Sequence, residues 1–477
     1  VFFSRRGDRI TPEPRAKVEE RLARSRDRDR KAGRMKALGE AALAVAAAGP
    51  AGARPGVEAG EWDAFVRALR EIAIRGPDAP GTSEAAEILR SSGLSVEDAP
   101  FDLLVRMGIF DPDENLELAR HGATAQYPAA AIEEADRVQA ALGDPGRWRE
   151  GREDAGPGAI TIDSSRTVEV DDALSIREVE GGWEVGVHIA DVASLVPRDG
   201  ALEAEAFSRG ATIYMPEGAI PMIPGTLGRG GFSLDEGVPR PALGLIARIA
   251  SDGAVTEWRF ARTRVAVARR LTYEQADDLA AEGDPALVAL AAAGAALKQA
   301  RLKGGAVDLD LPEIEVRVDG EGSSRTIDVT VTRGTTPSHV LVSECAILYN
   351  RIAGRMLRDL GVACVYRTQP SPGGNMPDVR SGGPAAEFAA RRMLSPSQVG
   401  TDPGRHHMLG IDDYTLATSP IRRAFDLVVQ RQIDGATRGG PVRDRAEMDR
   451  ILLLASPAAQ AAQAIDRART RYWLLKY

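Results

Sequence analysis

Four carboxylates stand close together in the stretch T-I-D-S-S-R-T-V-E-V-D-D, at Asp163, Glu169, Asp171 and Asp172. Carboxylates a few ångströms apart repel one another and raise each other's pKa, so a convergent set needs a cation. Oxygen ligands in this number suit Mg²⁺ or Mn²⁺. Along one continuous strand the side chains would point to both faces, whereas a turn would let all four converge. A solvated acidic loop is the alternative that these residues alone leave open.

A second group of residues with chemical potential lies far downstream, in T-S-P-I-R-R. Ser419 is predicted to cap a helix, with Pro420 in the first helical position and Arg422 and Arg423 in the first turn. The helix dipole and the guanidinium groups would then form a phosphate site. Together with carboxylates that hold a metal, this arrangement predicts a phosphoryl-transfer centre. Arginines in a first turn are also common surface residues, which is the other explanation.

The elements that must position these residues follow from hydrophobic periodicity. From Trp62 to Leu104 the apolar spacing predicts short amphipathic helices, with Ser83 as an N-cap and Gly93 as a stop, which suits a small helix-turn-helix unit. From Ala159 to Val196 apolar alternation and a glycine turn predict paired strands, and the chain ends in helix at residues 447–475. The predicted class is α+β, a mixed sheet with flanking helices preceded by a small helical domain.

The composition indicates a globular protein of more than one domain. Its 477 residues, 43% of them hydrophobic, exceed the size at which a single core stops growing. Cys345 and Cys364 make no disulfide framework, and with five histidines they make no zinc spacing, which predicts a reducing compartment, the cytoplasm. The apolar runs are too short and too interrupted for a membrane span or a signal sequence, so we expect no membrane association.

Three segments are predicted along the chain. Residues 1–58 form a basic arm and an Ala/Gly/Pro-rich linker at about 41–60, residues 59–150 a small winged-helix-like domain, and residues 151–477 the α+β domain. The first 40 residues hold 13 Lys/Arg against 7 Asp/Glu, although the net charge of the protein is -8. This asymmetry permits a polyanionic partner, and a solvated, partly helical arm is the alternative. Since the first residue is Val1, we expect that the chain can be a piece of a longer protein.

The sequence resembles the ribonuclease II and ribonuclease R family of exoribonucleases over roughly residues 159 to 475. Five motifs occur in the family's order: T-I-D-x(5)-E-V-D-D-A-L-S, G-V-H-I-A-D-V, Y-M-P-E-G-A-I-P-M-I-P, L-V-S-E-C-A-I-L-Y-N, and H-H-M-L-G-I-D-D-Y leading into T-S-P-I-R-R. The text D-L-L-V-R-M-G-I-F-D-P-D-E-N is further similar to the shorter bacterial and plastid branch. The resemblance implies a processive 3′→5′ hydrolytic exoribonuclease that degrades single-stranded RNA to nucleoside 5′-monophosphates.

The same resemblance implies catalytic roles for five residues. Asp163, Asp171 and Asp172 are implied to hold Mg²⁺, with Mn²⁺ as a possible substitute. Glu169, which is aspartate in some members of the family, is implied to bind metal or to orient a neighbouring ligand. Arg422 matches the arginine that contacts the phosphate, and we expect it to stabilise charge that develops in the transition state.

Five further residues are implied to bind RNA, namely Tyr214, Tyr273, Glu344, Arg367 and Arg423. The two tyrosines match positions near the 3′-terminal nucleotides, where stacking is worth ~1–3 kcal/mol per base. Each could also be an ordinary half-buried tyrosine. Glu344 matches an acidic residue of the RNA channel, which can accept a hydrogen bond from ribose or base. Arg367 is expected in the channel or behind it, and Arg423 as an auxiliary contact or a surface residue.

The sequence departs from the family pattern at some positions. A clamp phenylalanine of some members is here Val316 or a nearby aliphatic residue, so we expect looser base clamping. The tyrosine and histidine that often follow T-S-P-I-R-R are here Ala424 and Gln430. His188 is predicted to be a core histidine with satisfied hydrogen bonds.

Two functions of other classes are weighed against the enzyme. A catalytically silent RNA-binding protein on the same fold would be favoured by the loss of a ligand aspartate, and none is lost. A DNA-binding regulator would need basic residues on its recognition helix, where S-E-A-A-E-I-L-R offers one arginine against two glutamates. We expect single-stranded RNA as the partner, no obligatory protein partner, and a monomer.

Overall fold

The computed structural model describes residues 2–6, 9–48, 57–309, 312–374 and 379–477. The chain forms two compact units, residues 1–123 with 320–325, and residues 124–319 with 326–477. Each unit has its own hydrophobic core. The predicted α+β class is confirmed, with helices in the first unit and a mixed sheet flanked by helices in the second. The predicted segment boundaries at residues 58 and 150 stay predictions.

The first unit is helical. Its elements are the hairpin strands β1 (Phe3–Arg6) and β2 (Arg9–Pro12), and the helices α1 (Arg15–Ala48), α2 (Ala59–Arg75), α3 (Ser83–Ser91), α4 (Ala99–Arg106) and α5 (Leu116–Arg120). The amphipathic pattern predicted helices in the segment that holds α2, α3 and α4. Their apolar side chains, such as Leu69, Leu89 and Leu104, are buried in the core. Of the predicted linker at 41–60, residues 41–48 belong to α1, and residues 49–56 lie outside the described residues.

The start of α3 differs by one residue from the prediction. Thr82 occupies the N-cap position and Ser83 is the first helical residue. The Thr82 hydroxyl donates instead to the carbonyls of Pro77 and Ala79, both at 2.6 Å, and this bonding fixes the preceding turn. The predicted stop is found, because Gly93 follows the helix with a φ of 74°.

The second unit combines helices with a sheet. Its helices are α6 (Ala129–Leu142), α7 (Ala201–Arg209), α8 (Gly225–Leu227), α9 (Tyr273–Ala281), α10 (Pro285–Lys303), α11 (Pro337–Asp359), α12 (Val379–Met393), α13 (Ala424–Arg438) and α14 (Arg445–Lys476). Its strands are β3 (Glu153–Asp154), β4 (Ala159–Asp163), β5 (Asp172–Val179), β6 (Gly182–Ala190), β7 (Ile213–Met215), β8 (Gly218–Ile220), β9 (Pro239–Ala250), β10 (Val255–Thr272), β11 (Pro312–Asp319), β12 (Thr326–Arg333), β13 (Tyr366–Thr368), β14 (Gln398–Gly400), β15 (Arg405–His406) and β16 (Ile411–Asp412).

The main sheet closes into a ring. Its strand order is β3-β10-β4-β5-β6-β9, and β9 also pairs with β10. The β4–β10 pairing is parallel, and the other pairings within the ring are antiparallel. Val187, Leu245 and Val265 are all buried, and the register places Val187 and Leu245 on one face of the sheet and Val265 on the other, so both faces of these strands are covered. Closure fixes the end of β4 and the start of β5 side by side at one rim.

His188 in β6 lies in the interior of this sheet. Its Nε2 is 2.9 Å from Ser175 Oγ, and its Nδ1 is 3.1 Å from Thr263 Oγ1. A Cβ added at Gly244 would come within 2.9 Å of the ring, so the glycine makes space for it. Burial lowers the pKa of His188 to about 4, which keeps the ring neutral. The prediction of a satisfied core histidine is confirmed.

Within the described ranges, no single helix has both the length and the apolar composition needed to cross a membrane. Helices α9 and α10 meet those two criteria only when taken together, and they are bent by 105° at the break between them.

Candidate active site

The acidic stretch is a loop at the rim of the closed sheet. β4 ends at Asp163 and β5 begins at Asp172, so the two aspartates flank residues 164–171. The amide of Thr167 donates to the Ser164 carbonyl at 3.0 Å and closes a turn. A turn at this place is what the convergence of four carboxylates requires, since a continuous strand would separate them.

Backbone hydrogen bonds hold the acidic loop in place. The amide of Val170 donates to Ser233 Oγ at 3.2 Å, and the carbonyl of Val170 accepts from Leu234 at 3.0 Å. The carbonyl of Asp171 accepts from the amide of Ala190 at 2.8 Å. Ser233 was not identified from the sequence, and no local signal marks it, because its role depends on a contact with a distant loop.

The four carboxylates share a buried environment that disfavours their charge. Burial, followed by repulsion from Asp171, raises the pKa of Glu169 to about 7 and also raises the pKa of Asp163. Burial raises the pKa of Asp171 to about 6, and burial with repulsion from Asp163 raises that of Asp172. Two buried oxygens, Asp163 Oδ2 and Glu169 Oε1, have no hydrogen-bond partner. The cluster is therefore short of positive charge.

Arg422 is held by the acidic loop. Its Nε donates to Asp171 Oδ2 at 3.0 Å, and the neighbouring amide of Ile421 donates to Asp171 Oδ1 at 2.9 Å. The ion pair with Asp171 raises the pKa of Arg422 despite its desolvation. Asp171 thus fixes both the side chain and the backbone of the arginine segment, and the structure brings the two predicted groups together.

The prediction of a helix that starts at Pro420 is wrong. α13 begins at Ala424, and residues 420–422 form a turn. The reason is tertiary: Arg423 is extended, with φ of −137°, and the Arg422 carbonyl accepts from Thr212 at 3.0 Å. The Ala424 amide donates to the Gly210 carbonyl at 2.9 Å. Because this backbone pairs with a distant segment, Arg422 is presented by a turn and not by a helix N-terminus.

Arg423 points to a buried carboxylate at the base of the same turn. Its Nη2 donates to Asp426 Oδ1 at 2.7 Å, and the Ser419 amide donates to the same oxygen at 2.9 Å. Asp426 is fully buried. Asn350 supports the approach to this turn, because its Oδ1 accepts from the Ala417 amide at 2.8 Å. Arg423 therefore stabilises the turn, and its predicted contact with RNA stays a prediction.

Tyr214 lies on β7 beside the acidic loop. Its hydroxyl is 3.5 Å from Glu169 Oε2, and 41% of the residue is exposed. It lines a cavity of about 680 Å³, which is also lined by Val316, Arg229 and Arg166. Val316 or a nearby aliphatic residue was expected in place of the family's clamp phenylalanine, and Val316 lines this cavity together with the tyrosine.

Tyr273, the first residue of α9, is already stacked. Its ring lies against that of His339 with 3.7 Å between centroids and 11° between planes. The His339 ring is held by Thr336 Oγ1, 2.8 Å from its Nδ1. A second cavity of about 420 Å³ is lined by Ser165 and by Thr272, the residue that precedes this tyrosine in the sequence. The sequence did not predict this contact of His339 with Tyr273, because stacking partners leave no pattern in one sequence.

Glu344 and Arg367 have partners within the protein. Glu344 is buried, and the Nε and Nη2 groups of Arg301 donate to its two oxygens at 2.6–3.1 Å. Arg367, on β13, donates through Nε to Ser397 Oγ at 2.9 Å. The structure does not join either residue to the acidic loop by a direct contact. Their predicted contacts with RNA stay predictions.

The acidic loop offers oxygen ligands for a divalent cation without forming a complete site. In the part of the chain that the structure describes, no three acidic, histidine or cysteine side chains form a ready-made ligand group. The donors nevertheless suit a hard cation, since the partnerless oxygens of Asp163 and Glu169 are carboxylate oxygens. A Cβ at Gly228 would come within 3.0 Å of Glu169 Oε1, so the glycine leaves that oxygen space.

Two domain families match the chain. The RNB domain matches residues 158–439, which include the acidic loop and Arg422. The double HTH domain matches residues 18–116.

Three known proteins illustrate the similarity. An uncharacterized ribonuclease of Synechocystis is 33% identical over 407 residues, which cover 83% of this chain and 60% of that protein. The chloroplastic/mitochondrial ribonuclease II of Arabidopsis thaliana is 28% identical over 409 residues, 82% of this chain and 50% of that protein. An active-site mutant of the Dss1 exoribonuclease from Candida glabrata superimposes with a TM-score of 0.71 at 19% identity, covering 88% of this chain and 58% of that one. The chain thus spans only part of the length of each, and the structural match shows a common fold.

Proposed function

Because this chain belongs to the ribonuclease II and ribonuclease R family, whose RNB domain spans residues 158–439, we propose that it is a processive 3′→5′ exoribonuclease. It would hydrolyse single-stranded RNA to nucleoside 5′-monophosphates with a divalent metal ion. The acidic loop carries this proposal, because it concentrates four carboxylates beside Arg422 and leaves two buried oxygens without partners. Metal-assisted phosphodiester hydrolysis uses this combination of metal ligands and a fixed cation.

The reaction adds water to phosphorus and breaks the P–O3′ bond. The terminal nucleotide leaves with the phosphate on its 5′ oxygen, and the shortened RNA ends in a 3′-hydroxyl group. Arg422 stabilises the charge that develops on the phosphate oxygens. Asp171 holds Nε of that guanidinium, so its orientation is fixed before RNA arrives and no reorganisation is needed in the transition state.

Asp163, Glu169, Asp171 and Asp172 are the residues proposed to hold Mg²⁺, with Mn²⁺ as a substitute. Their raised pKa values, where burial is the largest cause, support this role, because a cation would remove the repulsion between them. When bound, the ion would polarise the scissile phosphate and lower the pKa of the attacking water. Asp171 would share its carboxylate between the ion and Arg422.

The RNA is proposed to reach the acidic loop along its two flanking cavities. Ser165 in the loop lines both cavities, Tyr214 lines the larger one, and Thr272, the residue before Tyr273 in the sequence, lines the other. Stacking on such rings holds single strands without regard to sequence. Glu344, Arg367 and Arg423 are proposed as further RNA contacts, and Glu344 would first have to release Arg301. We also propose that the protein acts in the cytoplasm as a monomer, which light scattering after size-exclusion chromatography would check.

The decisive assay follows 5′-labelled single-stranded RNA with Mg²⁺ and with a chelator. We expect a ladder that shortens from the 3′ end only with Mg²⁺, release of nucleoside 5′-monophosphates, and little cleavage of a DNA strand of the same sequence, which lacks the 2′-hydroxyl contact. Equal turnover of DNA and RNA would contradict the proposal. RNA binding without any hydrolysis would leave the alternative, a catalytically silent RNA-binding protein.

Asp172→Asn tests the acidic loop itself. The substitution keeps the shape of the side chain and removes one charge, so we expect a folded protein that binds RNA at least as well as the wild type. Single-turnover hydrolysis should fall by ~10²–10³-fold, the usual cost of losing a group that stabilises the transition state. Asp402→Asn, at an exposed aspartate, is the control and should keep the wild-type rate. A variant with more than about a tenth of the wild-type rate would refute the metal-site assignment.

A further inference from the structure

Helix α1 has a polar half in which no residue is buried, although at its end Arg34 pairs with Glu84 of α3 and Met35 packs on the core of the unit. The buried residues of α1 all lie between Leu38 and Val45, whereas nearly every residue from 15 to 33 is exposed. We call residues 15–36 the arm helix. A helix without a buried face is held by intrinsic propensity and by pairs four residues apart, such as Arg15–Glu19 at 2.8 Å and Arg24–Glu20 at 2.5 Å. Burial in its own unit therefore accounts for little of this half of the helix.

The basic residues of the arm helix are not scattered evenly around it. The arm helix holds ten Lys or Arg and four Asp or Glu. Five of the basic residues form one stripe, Lys17, Arg21, Arg24, Arg28 and Lys31, separated in turn by four, three, four and three residues. At ~100° per residue, this spacing keeps all five on one face, along about 21 Å of helix. Such a line of cations suits a repeating polyanion better than a single anion.

The stripe is most available to a ligand in its second half. All five of its residues are exposed, but Lys17 and Arg21 pair with the nearly buried Glu13 at 2.8 and 3.7 Å. Arg28 and Lys31 have no carboxylate within ion-pair distance in the described ranges, and the Arg24–Glu20 pair leaves 77% and 57% of its side chains exposed. Exposed pairs of this kind are worth at most ~1 kcal/mol and are readily exchanged for a stronger anion.

Two other occupants fit the stripe poorly. The four-three spacing is that of a coiled-coil seam, but a second copy would bring cations against cations at the positions where coiled coils need apolar residues. An anionic membrane would require an apolar face as well. Leu22 is the exposed large apolar residue among those described in the arm helix.

We propose that the basic stripe of the arm helix binds the phosphate backbone of RNA outside the catalytic channel and so holds long substrates. This inference rests on the proposed function for the identity of the polyanion. Because the stripe offers side-chain cations and few aromatic rings, it would contact phosphates and not bases. The affinity would be independent of the RNA sequence and would fall as the salt concentration rises.

The test compares two triple variants that remove the same charge. The stripe variant is Arg24→Gln, Arg28→Gln and Lys31→Gln. The matched control, on the opposite face of the same helix, is Arg15→Gln, Arg26→Gln and Arg30→Gln. Filter binding in a chelator, which prevents hydrolysis, measures the affinity for a long single-stranded RNA and for a short one that fills only the channel. Circular dichroism verifies that both variants keep their helix.

We expect the stripe variant to lose about tenfold in affinity for long RNA at low salt, and the control about twofold. The dependence of log affinity on log salt should become shallower by about 2, at ~0.7 for each phosphate contact on a single strand. Binding and hydrolysis of the short RNA should stay at wild-type levels. Equal losses of affinity in both triple variants would contradict RNA binding by the stripe, since they would reflect the change in net charge alone. Unchanged affinity would overturn it as well and leave an acidic protein surface as the partner class.

Failure of this inference can be told apart from failure of the proposed function. If the wild type binds long RNA but does not hydrolyse it, the proposed nuclease activity is wrong, and the comparison of the two variants still tests whether the stripe binds RNA. If the wild type hydrolyses RNA and both variants bind it alike, the proposed nuclease activity is supported and RNA binding by the stripe is contradicted.

Discussion

Asp171 and Arg422 act as one unit at the scale of single residues. The aspartate accepts from Arg422 Nε and from the Ile421 amide, so each partner positions the other. Asp171→Asn would keep the backbone bond and lose the charge that orients the guanidinium. Arg422→Lys would keep the charge and lose the planar fork that fits a phosphate.

We therefore predict that the effects of these two substitutions are strongly non-additive. Each single variant should lose ~10²-fold or more in single-turnover rate, and the double variant should lose little beyond the more damaged single one. Rates for the wild type, both single variants and the double variant complete the cycle. Losses that multiply would show that the two residues contribute independently.

His339 is expected to act through Tyr273. The stacked ring holds the tyrosine at the start of α9, so His339→Ala should free it to move. We predict that Tyr273→Ala and His339→Ala both change the length at which RNA digestion stops while hydrolysis of long RNA continues. His121→Ala, at an exposed histidine of the first unit, is the control. Limit products of wild-type length in both variants would show that the stacked pair is only structural.

Residue identities were more predictable from the sequence than residue contacts. The four carboxylates could be found because they are neighbours in the chain, and their chemistry needs only a turn between them. The partners of Tyr273 and Glu344, namely His339 and Arg301, lie far away in the sequence. Such partners follow from the packing of whole helices, which one sequence does not encode locally.

At the scale of elements, the start of α13 shows tertiary structure overriding a local signal. The sequence T-S-P-I-R-R favours a helix start, yet α13 begins three residues after Ile421 because Arg422 and Ala424 pair with Thr212 and Gly210. Gly210 has a φ of 70°, and a Cβ there would meet the backbone of α14 at Ala455 and Ala459. This glycine is therefore needed both for its conformation and for its lack of a side chain.

A matched pair of glycine substitutions separates those two requirements. Gly439 has a similar φ of 68°, and a Cβ there would meet nothing within 4 Å. We predict that Gly439→Ala lowers the free energy of unfolding by about 1–2 kcal/mol through strain alone. Gly210→Ala should cost about 1–3 kcal/mol more, because the neighbouring helix must shift. Urea unfolding of both variants measures the difference, and equal costs would contradict the close approach.

At the scale of the whole molecule, two sets of buried groups have opposite effects on how the stability of the fold changes with pH. The raised pKa values of the acidic loop, about 7 for Glu169, mean that the folded state binds more protons than the unfolded state. The stability they provide is present at low pH and is lost as the pH rises through about 4 to 7. His188, with its pKa lowered to about 4, acts oppositely, because its unfolded form takes up a proton as the pH falls below about 6.5.

Comparison with Asp172→Asn isolates the contribution of the acidic loop. Without divalent ions at pH 8, we predict that the variant is more stable than the wild type by roughly 1 kcal/mol, and that the difference shrinks towards pH 5. Mg²⁺ at pH 8 should raise the melting temperature of the wild type more than that of the variant. Calorimetric scans at both pH values, with and without Mg²⁺, test this. A variant less stable than the wild type at pH 8 without metal would contradict the repulsion.

The ion pair between Asp171 and Arg422 also imposes an order of assembly on the candidate site during synthesis of the chain. The two residues are 251 positions apart, so at roughly 5–20 residues per second the ribosome needs about 13–50 s to make the second after the first. During that time the nascent chain, attached to a particle made largely of RNA, carries the acidic loop without the arginine that completes it. Under the proposed function, the nascent chain therefore lacks a complete site for RNA cleavage until Arg422 has been made.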